Sequence, residues 1–278
     1  MLLGFHLSIS GSIDMAINRA NSIKCNTFQI FTSNPRGWQL TEIKEEHIDL
    51  FKKKCNEYNI KTPLVHMPYL PNLSSPKNEG YQKSIEILTS ELIRCNLLNI
   101  PYLVTHLGSH LGEGITFGLK RVINACSIAL SKADNNTMIL LENTAGTKNS
   151  TGSTFENLQF ILDNVKSKKI GICFDTAHAF AAGYDLRSKE NVQKTVNLFD
   201  NIIGINKIKA IHLNDSKYMF NSHSDRHEHI GLGYIGENGI RSFLNNKITN
   251  NCTIILETPI DSRRDNVQNL NKVMDLIS

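Results

Sequence analysis

Eight short apolar, β-prone runs recur along the chain, separated by longer stretches with helical periodicity. The runs are Leu3 to Leu7, Thr27 to Phe31, Pro63 to His66, Tyr102 to His106, Met138 to Leu141, Ile170 to Phe174, Ala210 to Leu213 and Thr253 to Leu256. Several are apolar without alternation, as a strand covered on both faces must be. Between them Ile48, Phe51, Cys55 and Tyr58 share one helical face, as do Tyr81, Ile85, Leu88, Leu92 and Cys95, and also Val192, Val196, Phe199 and Ile203. Ser75-Pro76 reads as a helix N-cap followed by proline at the first helical position. Eight β-α alternations predict an α/β fold, a single (β/α)8 TIM barrel over residues 1–278, since such barrels take ~250 residues. A doubly wound open sheet is the alternative. Against it, His6-Leu7-Ser8-Ile9-Ser10-Gly11 stands where a dinucleotide-binding sheet carries GxGxxG.

A barrel gathers its reactive groups where the strands end. Six successive runs finish on His66, His106, Glu142, Asp175, His212 and Glu257. One histidine closing an apolar strand is most often a hydrogen-bonded core residue, but six convergent imidazoles and carboxylates need another explanation. Three carboxylates at one mouth repel and are costly to desolvate unless a cation neutralises them. Imidazole and carboxylate without thiolate suit Zn²⁺ or Mn²⁺. There are more such groups than one ion requires, which predicts more than one ion at the C-terminal ends of the strands.

Three histidines also crowd positions 223 to 229, beside Asp225 and Glu228. Asp225 and His227 are two apart, so an extended segment points both to one side. With His178, three residues past Asp175, they make a third metal position. A polar surface loop is the bland alternative. His223, Glu228 and His229 read as solvated or supporting groups, His47 as a surface residue, and His6 and His110 as near the mouth without an assigned role.

Composition narrows the setting. The six cysteines are never closer than 30 residues, which removes zinc ribbons and CxxC redox pairs and favours buried thiols in a reducing compartment. No apolar run approaches the ~18 residues of a membrane span, and Met1-Leu2-Leu3-Gly4-Phe5-His6 lacks a signal peptide's basic start. A cytoplasmic monomer with no membrane partner is expected. The net charge of +4 hints only weakly at an anionic partner.

With these residues in place, the chain resembles the endonuclease IV family of apurinic/apyrimidinic endonucleases, from Phe5-His6-Leu7-Ser8 to Leu256-Glu257-Thr258-Pro259. The most specific segments are Leu141 to Gly146, Asp175 to Asp185, His212 to Ser216, and Asp225-Arg226-His227. The resemblance implies a (β/α)8 barrel with three zinc ions, some replaceable by manganese. His66 and His106 would hold the first, with Glu142 bridging to the second; Asp175, His212 and Glu257 would complete the second; His178, Asp225 and His227 would hold the third. It further implies double-stranded DNA with abasic sites as partner. Hydrolysis would fall 5′ to the site, with Glu142 and Glu257 as catalytic carboxylates and removal of 3′-blocking groups as a second activity. Arg36, in Asn34-Pro35-Arg36-Gly37-Trp38, and Tyr69 would contact the DNA. Leu107 departs from the family's usual proline, and Met67-Pro68 from its usual polar residues. The rival from another reaction class is a metal-dependent sugar isomerase or epimerase on the same barrel, which needs neither a third ligand group nor DNA wedges.

Overall fold

The alternation closes on itself. In the computed structural model, which describes residues 1–277, ten strands form. They are β1 (Leu2–His6), β2 (Thr27–Ile30), β3 (Leu64–His66), β4 (Tyr102–Thr105), β5 (Met138–Glu142), β6 (Ile170–Asp175), β7 (Ile208–His212), β8 (Asp215–Ser216), β9 (His227–Glu228) and β10 (Thr253–Leu256). Strands β1 to β7 and β10 pair in parallel, and β10 returns to β1 through Leu2↔Thr253 and Phe5↔Leu256. That last pairing excludes the open sheet. All eight barrel strands fall on the eight apolar runs, shifted by two residues at most.

Helices α1 (Met15–Ser22), α2 (Glu45–Glu57), α3 (Asn78–Leu97), α4 (Ile115–Ala133), α5 (Phe155–Asn164), α6 (Thr176–Ala181), α7 (Lys189–Ile202), α8 (Gly236–Leu244) and α9 (Asn266–Leu276) connect the strands. Their apolar stripes face the barrel: Tyr81, Ile85, Leu88, Leu92 and Cys95 are buried along α3, and Val192, Val196 and Phe199 along α7. On α2 only Phe51 is fully buried, and Tyr58, just past the helix end, is exposed. Ser75-Pro76 does not start α3. The helix begins at Asn78, because the Ser75 hydroxyl accepts the Lys77 N–H and closes a local turn first. No helix among the described residues is long and apolar enough to cross a membrane.

Inward-pointing residues alternate along each strand, so the interior is layered. One layer is Leu64, Val104, Leu140, Cys173, Ala210 and Ile255, fully buried and packed together. Two residues further along the same six strands stand His66, His106, Glu142, Asp175, His212 and Glu257. The polar layer therefore sits at the C-terminal ends, directly above an apolar plug.

Above it lies an antiparallel pair, β8 with β9, in which Asp215 opposes Glu228 and Ser216 opposes His227. Asp215 holds it in place. Its buried carboxylate accepts the main-chain N–H groups of Ser216, Gly231, Gly233 and Ile235 at 2.8–3.0 Å, folding the chain after β9 against β8. His227 is thus held in a strand over the mouth, while Asp225 and Arg226 lead into it as exposed, irregular chain.

Candidate metal centre

Glu142 is the hub of the polar layer. Its Oε2 lies 3.1 Å from His66 Nε2 and 3.6 Å from His106 Nδ1, and its Oε1 lies 3.1 Å from His212 Nδ1 and 3.3 Å from His178 Nδ1. Candidate ligand atoms within 4.8 Å of one another fall into three groups. These are His66, His106 and Glu142; Glu142, Asp175, His212 and Glu257; and Asp175, His178 and His227. The third differs from the sequence expectation by including Asp175. Asp225 stands beside it, with Oδ1 3.0 Å from His178 Nε2 and 3.9 Å from His227 Nε2. All nine expected ligands therefore meet around one mouth.

Main-chain structure aims them. Asp175 caps α6, accepting the His178 N–H at 2.7 Å, and this brings His178 back over the strand end. Asn143 brackets Asp175 with two hydrogen bonds to its main chain, and the Asn214 amide donates to Asp175 Oδ2 at 2.8 Å. Asn214 Oδ1 also accepts the Glu257 N–H. Gly108, after β4, has φ +84° and its Cα faces Asn72 so closely that a Cβ would meet Asn72 Oδ1 at 2.1 Å. Leu107, in the place of proline, is fully buried in the core.

The electrostatics call for positive charge. Burial pushes Glu142 up, but the imidazoles of His106 and His212 outweigh it and hold the carboxyl well below its ordinary range. Burial and then His212 act on Glu257 in the same way, with the same outcome. Conversely, burial favours neutral His178, yet Asp175, Asp225 and Glu142 hold it charged well above the usual imidazole value. Without a cation the carboxylates recruit protonated imidazoles instead. The Nε2 atoms of His178 and His227 are buried and make no hydrogen bond, although carboxylate oxygens lie 3.0 and 3.6 Å away. Imidazole nitrogens facing a space shared with carboxylates fit divalent cations of the borderline class, which would displace their protons.

A cavity of about 480 Å³ opens over these groups, lined by His66, Tyr69, His106, His178, Asp225 and His227, with Arg226 and Glu257. A second of about 350 Å³ shares Tyr69, His106, His178 and Asp225 and continues toward Asn72 and Ser109. Tyr69 is 61% exposed, its ring set edge-on to Phe31 at 5.2 Å. Its N–H donates to Pro35 O at 3.1 Å, which ties its loop to the one carrying exposed Arg36. Below, Arg94 donates to Thr32 O and Thr41 O and pins that second loop to α3.

Other histidines have structural partners. His110 Nδ1 accepts the Gly114 N–H at the start of α4. His229, read from sequence as solvated or supporting, is fully buried between Asp261 and Asn269 at 3.0 and 2.9 Å, and Glu228 is buried against Arg263. Two members of the ring had no assigned role, His6 on β1 and Gln29 on β2. His6 Nδ1 lies 3.4 Å from Glu257 Oε1, and the Gln29 amide donates to the same oxygen at 2.7 Å. The one signal for Gln29 was an amide between two aromatic or aliphatic neighbours, Phe28 and Ile30, inside the run Thr27-Phe28-Gln29-Ile30-Phe31.

The model of the xylose isomerase-like TIM barrel family matches residues 17–277. A relative from Methanoculleus marisnigri, named probable endonuclease 4, is 48% identical over 99% of both chains. The crystal structure of endonuclease IV from Thermus thermophilus superposes with a TM-score of 0.87 at 30% identity, over 99% of this chain and 97% of that one. A D-tagatose 3-epimerase-like protein superposes at 0.74 with 21% identity, over 99% of this chain and 96% of that one, a likeness of fold alone.

Proposed function

Since the chain belongs to the endonuclease IV family of apurinic/apyrimidinic endonucleases, we propose that it is a metal-dependent DNA-repair hydrolase acting on duplex DNA with abasic sites. It cleaves the phosphodiester 5′ to the site, leaving a 3′-hydroxyl and a 5′-deoxyribose phosphate, and it also removes 3′-blocking groups. The observation that carries this reading is the convergence of nine histidine, aspartate and glutamate side chains on three adjoining groups, beside a rim bearing Arg36 and Tyr69.

His66, His106 and Glu142 would hold the first ion, Glu142, Asp175, His212 and Glu257 the second, and His178, Asp225 and His227 the third, with zinc in each or manganese in some. Bound there, divalent cations offset phosphate charge and lower the pKa of water toward neutrality, which supplies a nucleophile. The protein's own part is orientation. Glu142 is placed to reach two ions at once, and Glu257 to close the second. Extruding an abasic nucleotide costs less than extruding a paired one, and Arg36 and Tyr69 are placed to fill the vacated stack. An epimerase site has no use for the His178–Asp225–His227 group or for a cationic and aromatic rim. The enzyme works as a cytoplasmic monomer.

The test uses metal-loaded protein and an end-labelled duplex carrying one abasic site. A single nick 5′ to the site, with a terminus that a DNA polymerase extends, is expected. An intact duplex, or a nick 3′ to the site, overturns the reading.

A further inference from the structure

Strand β2 sends Gln29 into the ring, fully buried, and both ends of its amide find partners there. Nε2 donates to Glu257 Oε1 at 2.7 Å and faces His6 Nδ1 at 3.0 Å, while Oε1 lies 2.9 Å from His212 Nε2. The Glu257 carboxylate dictates this orientation. With the amide turned over, Oε1 would face a carboxylate oxygen at the same distance, acceptor against acceptor. The amide nitrogen therefore faces Glu257, Oε1 faces His212, and His212 Nε2 must carry a proton to give. Nδ1 is then the nitrogen turned toward the ion position, 3.1 Å from Glu142 Oε1 and 3.3 Å from Glu257 Oε2, and the one that a cation there would take.

Three other ligand histidines free the opposite nitrogen, Nε2, by a different device. His66, His178 and His227 each turn Nδ1 to a main-chain carbonyl, of Met67, Asn143 and Glu257, at 2.7, 3.0 and 3.2 Å. His212 alone among these four depends on a side chain. A histidine's free nitrogen sets which atom binds metal, and groups holding it typically matter ~10–100-fold in metal affinity.

We infer that Gln29 is a positioning residue: it selects Nδ1 of His212 as the metal-facing atom and aims Glu257, so that it governs the second of the three ion positions. This rests on the metal reading above. Gln29→Met keeps length and apolar bulk but removes both hydrogen bonds. Gln29→Glu keeps an acceptor for His212.

The experiment titrates zinc into each protein against a chromophoric chelator and records imidazole ¹H–¹⁵N spectra of the zinc-loaded forms. Wild type is expected to hold three ions and to show a slowly exchanging Nε2–H on His212. Gln29→Met should bind one ion ~10–100-fold more weakly, the other two unchanged, and lose that signal. Gln29→Glu should retain it. If Gln29→Met does not fold, Gln29→Asn, one methylene too short for both contacts, takes its place. Three wild-type affinities in the variant, or equal weakening of all three, overturns the role of Gln29 alone. A wild-type protein that takes up no metal overturns the functional reading and this inference with it.

Discussion

Two layers of the barrel interior lie two residues apart on the same six strands, and their chemistry is opposite. The lower, from Leu64 to Ile255, is apolar and dry. The upper, from His66 to Glu257, is built from imidazoles and carboxylates, and His66, Glu142, Asp175 and His212 among them are as deeply buried. One strand pleat, about 7 Å of rise, separates them. Burial of the lower layer stabilises the barrel. Burial of the upper one costs stability unless a cation is present. The fold therefore supports the site, and the site contributes to the fold only when loaded.

The largest effect separating the layers should come from Glu142→Gln. An amide bridges cations poorly, so abasic-site cleavage should fall at least ~10³-fold, while the circular dichroism of the folded variant stays that of wild type. Turnover within tenfold of normal would remove Glu142 from the centre. Directly below, Leu140→Ala should do the reverse. It opens a cavity in the dry layer and should cost about 2–5 kcal/mol in urea unfolding, with zinc stoichiometry of the folded protein unchanged.

Glu91 sharpens the contrast, because it is a fully buried carboxylate outside the ring, answered by Thr32 and Arg94. Burial pushes it up to about 7, against the pull of Thr32 and Arg94. An acid raised in the folded state leaves stability intact below the ordinary value of 4.5; stability then falls as pH climbs toward about 7 and stays flat above. Glu91→Gln should abolish this decline. Its melting temperature relative to wild type should rise between pH 4.5 and 7, by an amount equivalent to at most about 3 kcal/mol. A pH-independent difference would mean that folding leaves the Glu91 carboxyl at its ordinary value.

The smallest effect belongs to the rim. Arg36→Ala with Tyr69→Ala should keep metals and fold but lose ~10–100-fold in preference for abasic over intact duplex, since stacking contributes ~1–3 kcal/mol per base. Titrations at fixed salt that weaken on both duplexes equally would make these phosphate contacts instead.

The barrel and six members of the upper layer were legible because a strand's period of two puts every ligand in register with an apolar residue below it, as Leu140 lies below Glu142. Gln29 was hidden by the same logic. Its neighbour two positions back is Thr27, so no apolar plug marked it as the inward residue of β2, and its partners Glu257 and His212 are 228 and 183 residues away. The hold of Asp215 on Gly231, Gly233 and Ile235 is equally non-local, and it folds the chain after β9 against β8, which keeps His227 over the mouth. The start of α3 was misplaced because a serine followed by proline serves a turn as readily as a helix cap.

The proposed function makes the upper layer a three-ion centre for DNA incision. Elemental analysis of a purified sample whose incision of an abasic duplex has been measured tests it most directly. Close to three zinc or manganese ions per chain, with activity lost in a chelator and restored by zinc, is the predicted result. Full incision by protein carrying a single ion would contradict it.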